Sequence, residues 1–285
     1  MTEPRASQIA GTWYPGDPDE LRALVERSLT DAPRPANDVD DIPAKLAELV
    51  ALVVPHAGLI YSGRIAAAGY RLLEGARFDA VVLLGPCHRG GVGLAVLPDG
   101  AIETPLGTVR IDEELASALA EADPSISAAR APHQQEHSLE VQFPFLQRFL
   151  PNVPVVPVLM GFQTLATIGA AARALQRVIA SSPRTVLMIA SSDLSHYESR
   201  AEASRLDGML VRCLEQFDVA GLERLLETNP HHACGGGPMV AVLTAARALG
   251  ANAASVLAYG DSGDVTGDTD GVVGYVSAAI HSGAT

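Results

Sequence analysis

The sequence predicts one α/β domain over residues 1–285, with a central mixed, mostly parallel sheet that is flanked by helices. Runs that are apolar throughout, such as residues 52–54, 80–84 and 185–190, end at turn residues, as strands buried on both faces do. These runs alternate with segments whose apolar residues recur at helical spacing. The composition agrees, because 48% of the residues are hydrophobic but only 5% are aromatic, and 285 residues can bury one sizeable core.

The first half of the chain contains two of these apolar strands. A helix is predicted over residues 17–30, since Asp17 and Pro18 supply a cap and a first-turn proline. Residues 31–43 are rich in proline and aspartate, which predicts a linker. The other predicted elements are a strand at 52–54, a helix at 64–73, a strand at 80–84, a hairpin of 93–97 with 101–104, and helices at 112–122 and 136–150.

The second half continues the alternation. Residues 153–160 are predicted to form a strand, and Pro154 and Pro157 predict that it lies near an edge of the sheet or is irregular. The remaining predicted elements are helices at 165–179, 201–216, 219–227 and 239–249, and strands at 185–190, 253–259 and 272–280.

Charge and cysteine usage restrict the class of partner. A formal net charge of -13 argues against nucleic acid or an anionic membrane surface as the main partner. No apolar stretch approaches the roughly 18 to 20 residues of a membrane span. The three cysteines, Cys87, Cys213 and Cys234, are widely spaced in a chain without a signal peptide, so no disulfide framework is expected. A cytoplasmic protein is therefore expected.

Polar side chains follow three of the predicted strands. Strand ends at one edge of a mostly parallel sheet converge, so His56, His88, Asp193 and His196 are expected to share a cleft. Cys234, in a glycine-rich loop, is in a position to reach the same place. Two imidazoles and a thiolate make a three-ligand set that leaves metal positions open, and such donors suit iron, copper or zinc rather than magnesium or calcium.

Seven motifs along the chain resemble the MEMO family, which is similar in fold to the class III extradiol ring-cleaving dioxygenases. Each motif is weak alone, but their order is specific. They are Ala10-Gly11-Thr12-Trp13-Tyr14-Pro15, Pro55-His56-Ala57-Gly58 through Tyr61-Ser62-Gly63, Leu84-Gly85-Pro86-Cys87-His88, Thr104-Pro105-Leu106-Gly107, Glu136-His137-Ser138-Leu139-Glu140-Val141-Gln142, Ser192-Asp193-Leu194-Ser195-His196-Tyr197 and Cys234-Gly235.

The resemblance implies a class III extradiol dioxygenase-like fold over the whole chain and a divalent metal held by His56, His88 and Cys234. It also implies that Asp193 and His196 line the cleft. The dioxygenases use a glutamate as the third ligand, so a cysteine there argues against ring cleavage. Two departures from the family pattern, Leu59 for tyrosine and Cys87 for serine, remove no proposed ligand.

The candidate catalytic residues are Asp193, His196 and His137. His137 and Glu140 stand at i, i+3 spacing, so a helix there would place them on one face, either in the cleft or at the start of the helix.

Three functions remain open at this stage. The first is a redox protein whose non-haem iron or copper binds dioxygen or a small-molecule or peptide substrate. The second is a non-catalytic module that holds a peptide or protein in the same cleft. Bacterial family members resemble a component of a set with a radical-SAM protein and an AMMECR-type protein, which makes these two proteins candidate partners. The third is a zinc hydrolase in which His196 or Asp193 is the base.

Overall fold

A mixed sheet of nine strands forms the centre of the computed structural model, which describes residues 3–33, 49–91 and 93–282. Its order is β10-β11-β1-β8-β2-β7-β3-β6, with β9 paired to β11, while β4 and β5 form a separate hairpin. The strands are β1 Leu49–Val54, β2 Ala80–Pro86, β3 Leu94–Val96, β4 Ala101–Thr104, β5 Gly107–Arg110, β6 Ile126–Ala128, β7 Val155–Met160, β8 Val186–Ser191, β9 His196–Glu198, β10 Ala253–Asp261 and β11 Val272–His281.

Helices cover both faces of this sheet. They are α1 Pro18–Asp31, α2 Leu59–Tyr70, α3 Glu113–Ala122, α4 Phe143–Phe149, α5 Leu165–Ser181, α6 Arg200–Glu215, α7 Val219–Thr228, α8 Gly236–Ala248 and the single turn α9 Gly263–Thr266. Successive residues of β10 point to opposite faces of the sheet, so their contacts show which helices lie on each face. The Tyr259 hydroxyl donates a hydrogen bond to Asp207 of α6 on one face, whereas Gly260 lies against Ile65 of α2 on the other. Helices α1 and α4 pack with α2, and α3, α5, α7 and α8 lie on the side of α6.

The central strands run parallel, as the apolar runs predict. Strand β8 lies between β1 and β2 and is parallel to both, and β7 continues the parallel set beyond β2. These four strands are buried along most or all of their length, because helices cover both faces. Strands β10, β11 and β3 add antiparallel pairings. The prediction of a single α/β domain with a mixed central sheet is confirmed.

Strand 153–160 was predicted to lie near an edge of the sheet or to be irregular, and the second alternative agrees with the structure. Strand β7 lies between β2 and β3, inside the sheet. The carbonyl of Pro157 accepts the N–H of Leu97 at 3.0 Å, just beyond the last residue of β3. The missing N–H of Pro157 therefore falls where the short partner strand ends, so the ladder loses at most one hydrogen bond.

The predicted pairing of residues 93–97 with 101–104 is wrong. Strand β3 enters the main sheet with its three residues buried, and β4 pairs instead with β5, in register from Ala101 with Arg110 to Thr104 with Gly107. Pro105 and Leu106 form the two-residue turn of that hairpin. Proline suits the second position of such a turn because its φ is already fixed.

Two predicted helices begin earlier in the structure than their patterns suggest. Helix α2 starts at Leu59, because the N–H groups of Tyr61 and Ser62 already bond to the carbonyl of Gly58. Gly63 therefore belongs to the helix, where a Cβ would lie 2.7 Å from Ser28 Oγ of α1. Helix α8 likewise starts at 236 rather than 239. In the sequence, small residues such as Gly63 suggest a loop. In the structure, Gly63 lies within α2 and lets this helix pack closely against α1.

The predicted helix 136–150 forms only in its second half. A short 3-10 helix covers Glu140–Gln142, and α4 follows with Pro144 in its first turn, where proline is favoured. Before it, the Glu136 carboxylate accepts the N–H groups of His137 and Ser138. These bonds hold the backbone out of a helix. Strand β9 was not predicted, and most of the predicted linker, residues 34–43, lies outside the described residues.

Candidate metal centre

The carboxyl ends of three neighbouring parallel strands deliver the predicted polar groups to one cleft. His56 follows β1, Asp193 follows β8 and His88 follows β2, and β8 lies between the other two strands. Cys234 comes from the turn before α8 and reaches the same cleft, with its Sγ 3.1 Å from His56 Nε2. The convergence expected from the sheet edge is therefore present.

Asp193 fixes the backbone of the loop that carries His56. Its Oδ1 accepts the N–H groups of His56 at 2.7 Å and of Ala57 at 3.2 Å. Burial raises the pKa of the Asp193 carboxyl to about 7, although these two hydrogen bonds act in the opposite direction. The carboxyl can therefore hold or release a proton near neutral pH.

Ser191 sets the orientation and tautomer of the His56 ring. The Ser191 hydroxyl donates its proton to the carbonyl of Ser138 at 2.7 Å and accepts the side-chain N–H of Gln142 at 3.0 Å. His56 Nδ1 lies 3.0 Å from the same oxygen and must be the donor, because the only hydroxyl proton is already committed. The lone pair of Nε2 therefore faces Cys234, and the ring can bind a metal without turning.

Cys234 is held close to β8 by its glycine neighbour. A Cβ at Gly235 would lie 2.3 Å from the carbonyl oxygen of Ser191, so only glycine allows this approach. Burial, together with the negative charge of Asp193, raises the pKa of the Cys234 thiol well above its usual range. In the metal-free protein the group is therefore a thiol, which donates S–H to His56 Nε2. A metal would have to displace this proton.

Glu136 holds the other side of the cleft. Its carboxylate accepts Nδ1–H of His88 at 3.0 Å and the N–H groups of His137 and Ser138 at 2.9 Å each, and it lies 3.3 Å from Nδ1 of His137. Burial alone would raise the pKa of Glu136, but the hydrogen bonds from His88 and Ser138 outweigh it and lower the pKa to about 2. The carboxylate thus orients His88 so that Nε2 faces the cleft, as carboxylates do for metal-binding histidines.

Three imidazoles meet in the cleft. The rings of His88 and His137 stack with centroids 4.5 Å apart, and His56 lies edge-on to them at 5.4 and 5.8 Å. One ligand nitrogen from each ring lies within 4.8 Å of the other two. Burial lowers the pKa of His137 to about 4, and burial also lowers that of His56 well below its usual value. The rings of His137 and His56 are therefore neutral at pH 7, as metal ligands must be.

A second group of donors shares His56 with the first. His56, Asp193 and Cys234 also offer ligand atoms that all lie within 4.8 Å of one another. The trio that the sequence suggests, His56, His88 and Cys234, is thus divided between the two groups. The nitrogen and sulfur donors fit a transition metal such as iron, copper or zinc, and they do not suit magnesium or calcium.

His196 lies near the imidazoles but in neither group. Its Nδ1–H donates to the carbonyl of Leu194 at 2.7 Å, which leaves Nε2 free to accept a proton. Burial lowers its pKa, and the nearby His88 lowers it further. Tyr197 has a φ of 63° and is exposed beside it.

Glu140 belongs to a different part of the structure from His137. It forms an ion pair with Arg5 at 2.6 Å, and both side chains are buried. Its carboxylate also accepts hydrogen bonds from the hydroxyls of Ser7 and Tyr14 at 2.6 and 2.9 Å and from the N–H of Ile9 at 3.1 Å. Glu140 therefore anchors residues 5–14, which we call the N-terminal strap, and the predicted shared helix face does not form.

The N-terminal strap supplies one wall of the cleft. The ring of Trp13 packs on that of His137 with centroids 4.2 Å apart, and the carbonyl of Trp13 accepts the N–H of Leu59 at 2.9 Å. Sequence reasoning named Trp13 only as part of a motif and missed the roles of Glu136, Ser191 and Gln142. The available signals were the carboxylate directly before His137 and the serine at the last position of an apolar strand.

Stability at mildly acidic pH should depend on His133, which lies beneath the strap. Burial lowers its pKa from 6.5 to about 4. Between pH 6.5 and about 4, this histidine is protonated in the unfolded chain but stays neutral in the folded chain. The free energy of unfolding therefore falls as the pH decreases through this range. The full effect of one such group is on the order of 3 kcal/mol. We expect His133→Gln, which keeps an N–H for the carbonyl of Ala95, to lose less stability than the parent between pH 6.5 and 4 in urea titrations. Equal losses would contradict this assignment.

The fold and the cleft define the class: an α/β protein with a candidate transition-metal centre at the carboxyl edge of its parallel strands. Residues 5–279 match the family described as Memo-like protein. The chain therefore belongs to the MEMO family.

Curated relatives match over almost the full length. A MEMO1 family protein of Methanopyrus kandleri is 37% identical over 284 residues, which cover 98% of this chain and 99% of the relative. One from Methanobrevibacter smithii is 36% identical, covering 96% and 98%. One from Methanocaldococcus jannaschii is 36% identical, covering 99% and 100%.

A solved structure shares the fold. The crystal structure of an uncharacterized protein from Escherichia coli K12 superposes with a TM-score of 0.57 at 16% identity, covering 81% of this chain and 99% of that one. At this identity the likeness supports the fold alone. Within residues 3–33, 49–91 and 93–282, no helix combines the length and the apolarity that a membrane crossing requires.

Proposed function

We propose that the protein binds a redox-active transition metal, iron or copper, in the cleft between the ends of β1, β8 and β2. The observation that supports this proposal is the way His56 and His88 are held. Each donates Nδ1–H to a buried acceptor, Ser191 or Glu136, and so keeps the Nε2 lone pair for a ligand in the cleft. Metal-binding histidines are usually oriented by such an acceptor on the other ring nitrogen.

In this proposal His56, His88 and Cys234 are the metal ligands and Asp193, His196 and His137 are the residues that face the substrate. The metal would supply one-electron chemistry and open positions for a small molecule or a peptide. Asp193, whose pKa is raised to about 7, and the free Nε2 of His196 would take up or release protons beside it. Trp13 would exclude water on the side of the strap.

Metal analysis of the freshly purified protein tests the proposal. We expect iron or copper at about one ion per chain, held through desalting, and lost after incubation with a strong chelator at acidic pH, where the histidine ligands become protonated. Zinc as the only retained metal would instead favour the zinc hydrolase, with Asp193 or His196 as base. A protein that retains none of the three metals after reconstitution would contradict the proposal.

A non-catalytic binding module is the second candidate, and the exposed apolar side chains favour it. The five large hydrophobic residues that the described chain exposes follow the carboxyl ends of β1, β7, β8 and β10, at the edge of the sheet that holds the cleft. They are Ile60, Phe162, Leu165, Tyr197 and Val265. Exposed apolar residues around a cleft suit contact with the surface of a partner protein. In this alternative a radical-SAM or AMMECR-type protein would be the partner, and purified mixtures examined by size-exclusion chromatography test each pairing.

The proposal includes a cytoplasmic location. Cys87, Cys213 and Cys234 are all free. A reducing compartment would keep the Cys234 thiol available as a ligand, whereas an oxidising one would expose it to loss by oxidation. Separating soluble, membrane and secreted fractions of the native host tests this part of the proposal.

A further inference from the structure

We infer that the protein has a further binding site, outside the cleft, for a small organic cation. The site is a cavity of about 310 Å³ between the starts of α5 and α8 and one side of α7. None of the residues that face the cleft lines this cavity, although Ala233 and Gly236, on either side of Cys234 and Gly235, do. The inference goes beyond the proposed function, because the cavity needs no metal to bind its ligand.

The cavity persists because its walls are already in contact with one another. A Cβ at Gly236 would lie 2.8 Å from the Leu226 side chain of α7, and a Cβ at Gly237 would lie 2.8 Å from Met160 Sδ of β7. Glycine at these two positions therefore lets α8 approach α7 and β7 as closely as their side chains allow. The elements cannot move closer to fill the space beside them, so the cavity is a fixed feature of the fold.

The lining of the cavity is mostly apolar. Ile168 of α5 and Val240 of α8 are buried in it, and Leu165 leaves 51% of its surface exposed beside them. Pockets with an apolar lining and a few polar groups bind small organic molecules, and this volume lies at the lower end of their range of roughly 300 to 1,000 Å³. We therefore expect a small ligand with an apolar body that covers Leu165.

Two glutamates of α7 determine the charge of the ligand. Glu223 and Glu227 both line the cavity, and their i, i+4 spacing makes them neighbours on the helix surface. Like charges at this spacing repel, and neither carboxylate has an ion pair or hydrogen bond within the described part of the chain. The groups of three metal donors that these described residues form lie in the cleft, so a metal ion is not the expected cation. An ammonium or guanidinium group between the two carboxylates would relieve their repulsion.

The starts of helices usually favour anions, but those that face this cavity already have protein acceptors. In the first turn of α5, the Thr164 hydroxyl accepts the N–H of Thr167 at 3.2 Å. In the first turn of α8, the side-chain carbonyl of Gln163 accepts the N–H of Gly237 at 2.7 Å, and Pro238 has no N–H to offer. The two carboxylates therefore outweigh the helix starts, and the site should prefer a positive charge.

Three probes of similar size and different charge test the inference. They are 2-phenylethylamine, which is a cation at pH 7, 2-phenylethanol, which is neutral, and phenylacetate, which is an anion. Calorimetry and ligand-observed NMR would be carried out on the purified protein with a chelator present, so that the amine cannot bind a metal in the cleft. We expect the amine to bind with a dissociation constant of about 1 mM or lower, and the other two probes to bind at least about fivefold more weakly.

Variants locate the bound amine. Glu223→Gln combined with Glu227→Gln should weaken the amine at least about fivefold and leave the alcohol unchanged within about twofold, because only the charge is removed. The matched control is Glu114→Gln combined with Glu215→Gln, which removes the same charge at two exposed positions outside the cavity. Val240→Phe should fill the space and abolish binding of both the amine and the alcohol.

The inference is wrong if the amine does not bind at millimolar concentration or binds no better than the alcohol. It is equally wrong if the Glu223 and Glu227 double variant binds the amine as the parent does, since the amine would then occupy another site. If Val240→Phe does not fold, the glutamine variants decide alone, because they change no buried apolar side chain. Each of these outcomes is independent of the metal that the cleft holds, so the proposed function is tested separately.

Discussion

His56→Ala should lose metal binding more completely than any other single variant of the cleft. We expect the affinities for Co²⁺ and for Cu⁺ to fall together by at least about 100-fold, which corresponds to about 2.7 kcal/mol. His56 is the one donor that both groups of candidate ligands share, and it is the most rigidly held. Competition titrations with a metallochromic chelator measure both losses directly.

A histidine of the same cleft provides the matched control. His196 lies close to His88 but belongs to neither donor group, and its Nδ1–H is committed to the carbonyl of Leu194. His196→Ala should therefore keep the metal affinity of the parent within about threefold. If His196→Ala loses as much metal as His56→Ala, metal binding would not depend on the particular donor atoms assigned here. The assignment of ligands would then be wrong.

Glu140→Ala is expected to cause the largest loss of stability, about 3 to 5 kcal/mol, because it leaves the buried guanidinium of Arg5 without its partner. The same change removes the acceptor for Ser7, Ile9 and Tyr14 in the N-terminal strap. Chemical denaturation followed by circular dichroism measures the loss. Trp13, the only tryptophan, reports by fluorescence whether the strap has left the cleft.

An exposed ion pair shows what is special about Glu140. Arg22 and Asp19 form a pair of similar length on the surface of α1, with 59% and 90% of their side chains exposed. Arg22→Ala should cost at most about 1 kcal/mol. The double variant Arg5→Met with Glu140→Leu should recover part of the loss, since it removes both buried charges. A cost below about 1 kcal/mol for Glu140→Ala would show that water reaches Arg5 and would refute the anchoring role.

The sequence was sufficient to predict the central parallel strands and the edge of the sheet at which the candidate site lies. Apolar runs that end in Pro55 or Pro86, with a histidine one or two residues later, predict parallel strands and the carboxyl ends where polar groups gather. That argument depends on strands that run parallel, which runs that are apolar throughout favour. It succeeded for His56, His88 and Asp193, and it failed for β9, whose three residues are too short and too polar to give a strand pattern.

The division of the donors into two groups could not be predicted in the same way. Whether Nε2 of His88 meets His137 or Cys234 depends on a carboxylate, Glu136, that reaches across the cleft from position 136 to position 88. The motif from 136 to 142 misleads because its residues serve different parts of the protein. Glu136 and Gln142 orient the histidines, whereas Glu140 holds the strap. A helical pattern assumes regular spacing, and the backbone at 136–139 is not helical.

The N-terminal strap also has a consequence for the order in which a growing chain can build the cleft. Arg5 and Glu140 are separated by 135 positions, and His56 and Cys234 by 178. Closing such long loops is slow, because the entropy is lost before the contacts form. On the ribosome, Trp13 must wait for the segment around 136–140, and His56 must wait longer still for Cys234. Imidazoles from the first half of the chain therefore become available before the thiol of Cys234 does, so an ion captured during synthesis would meet these imidazoles before it met Cys234.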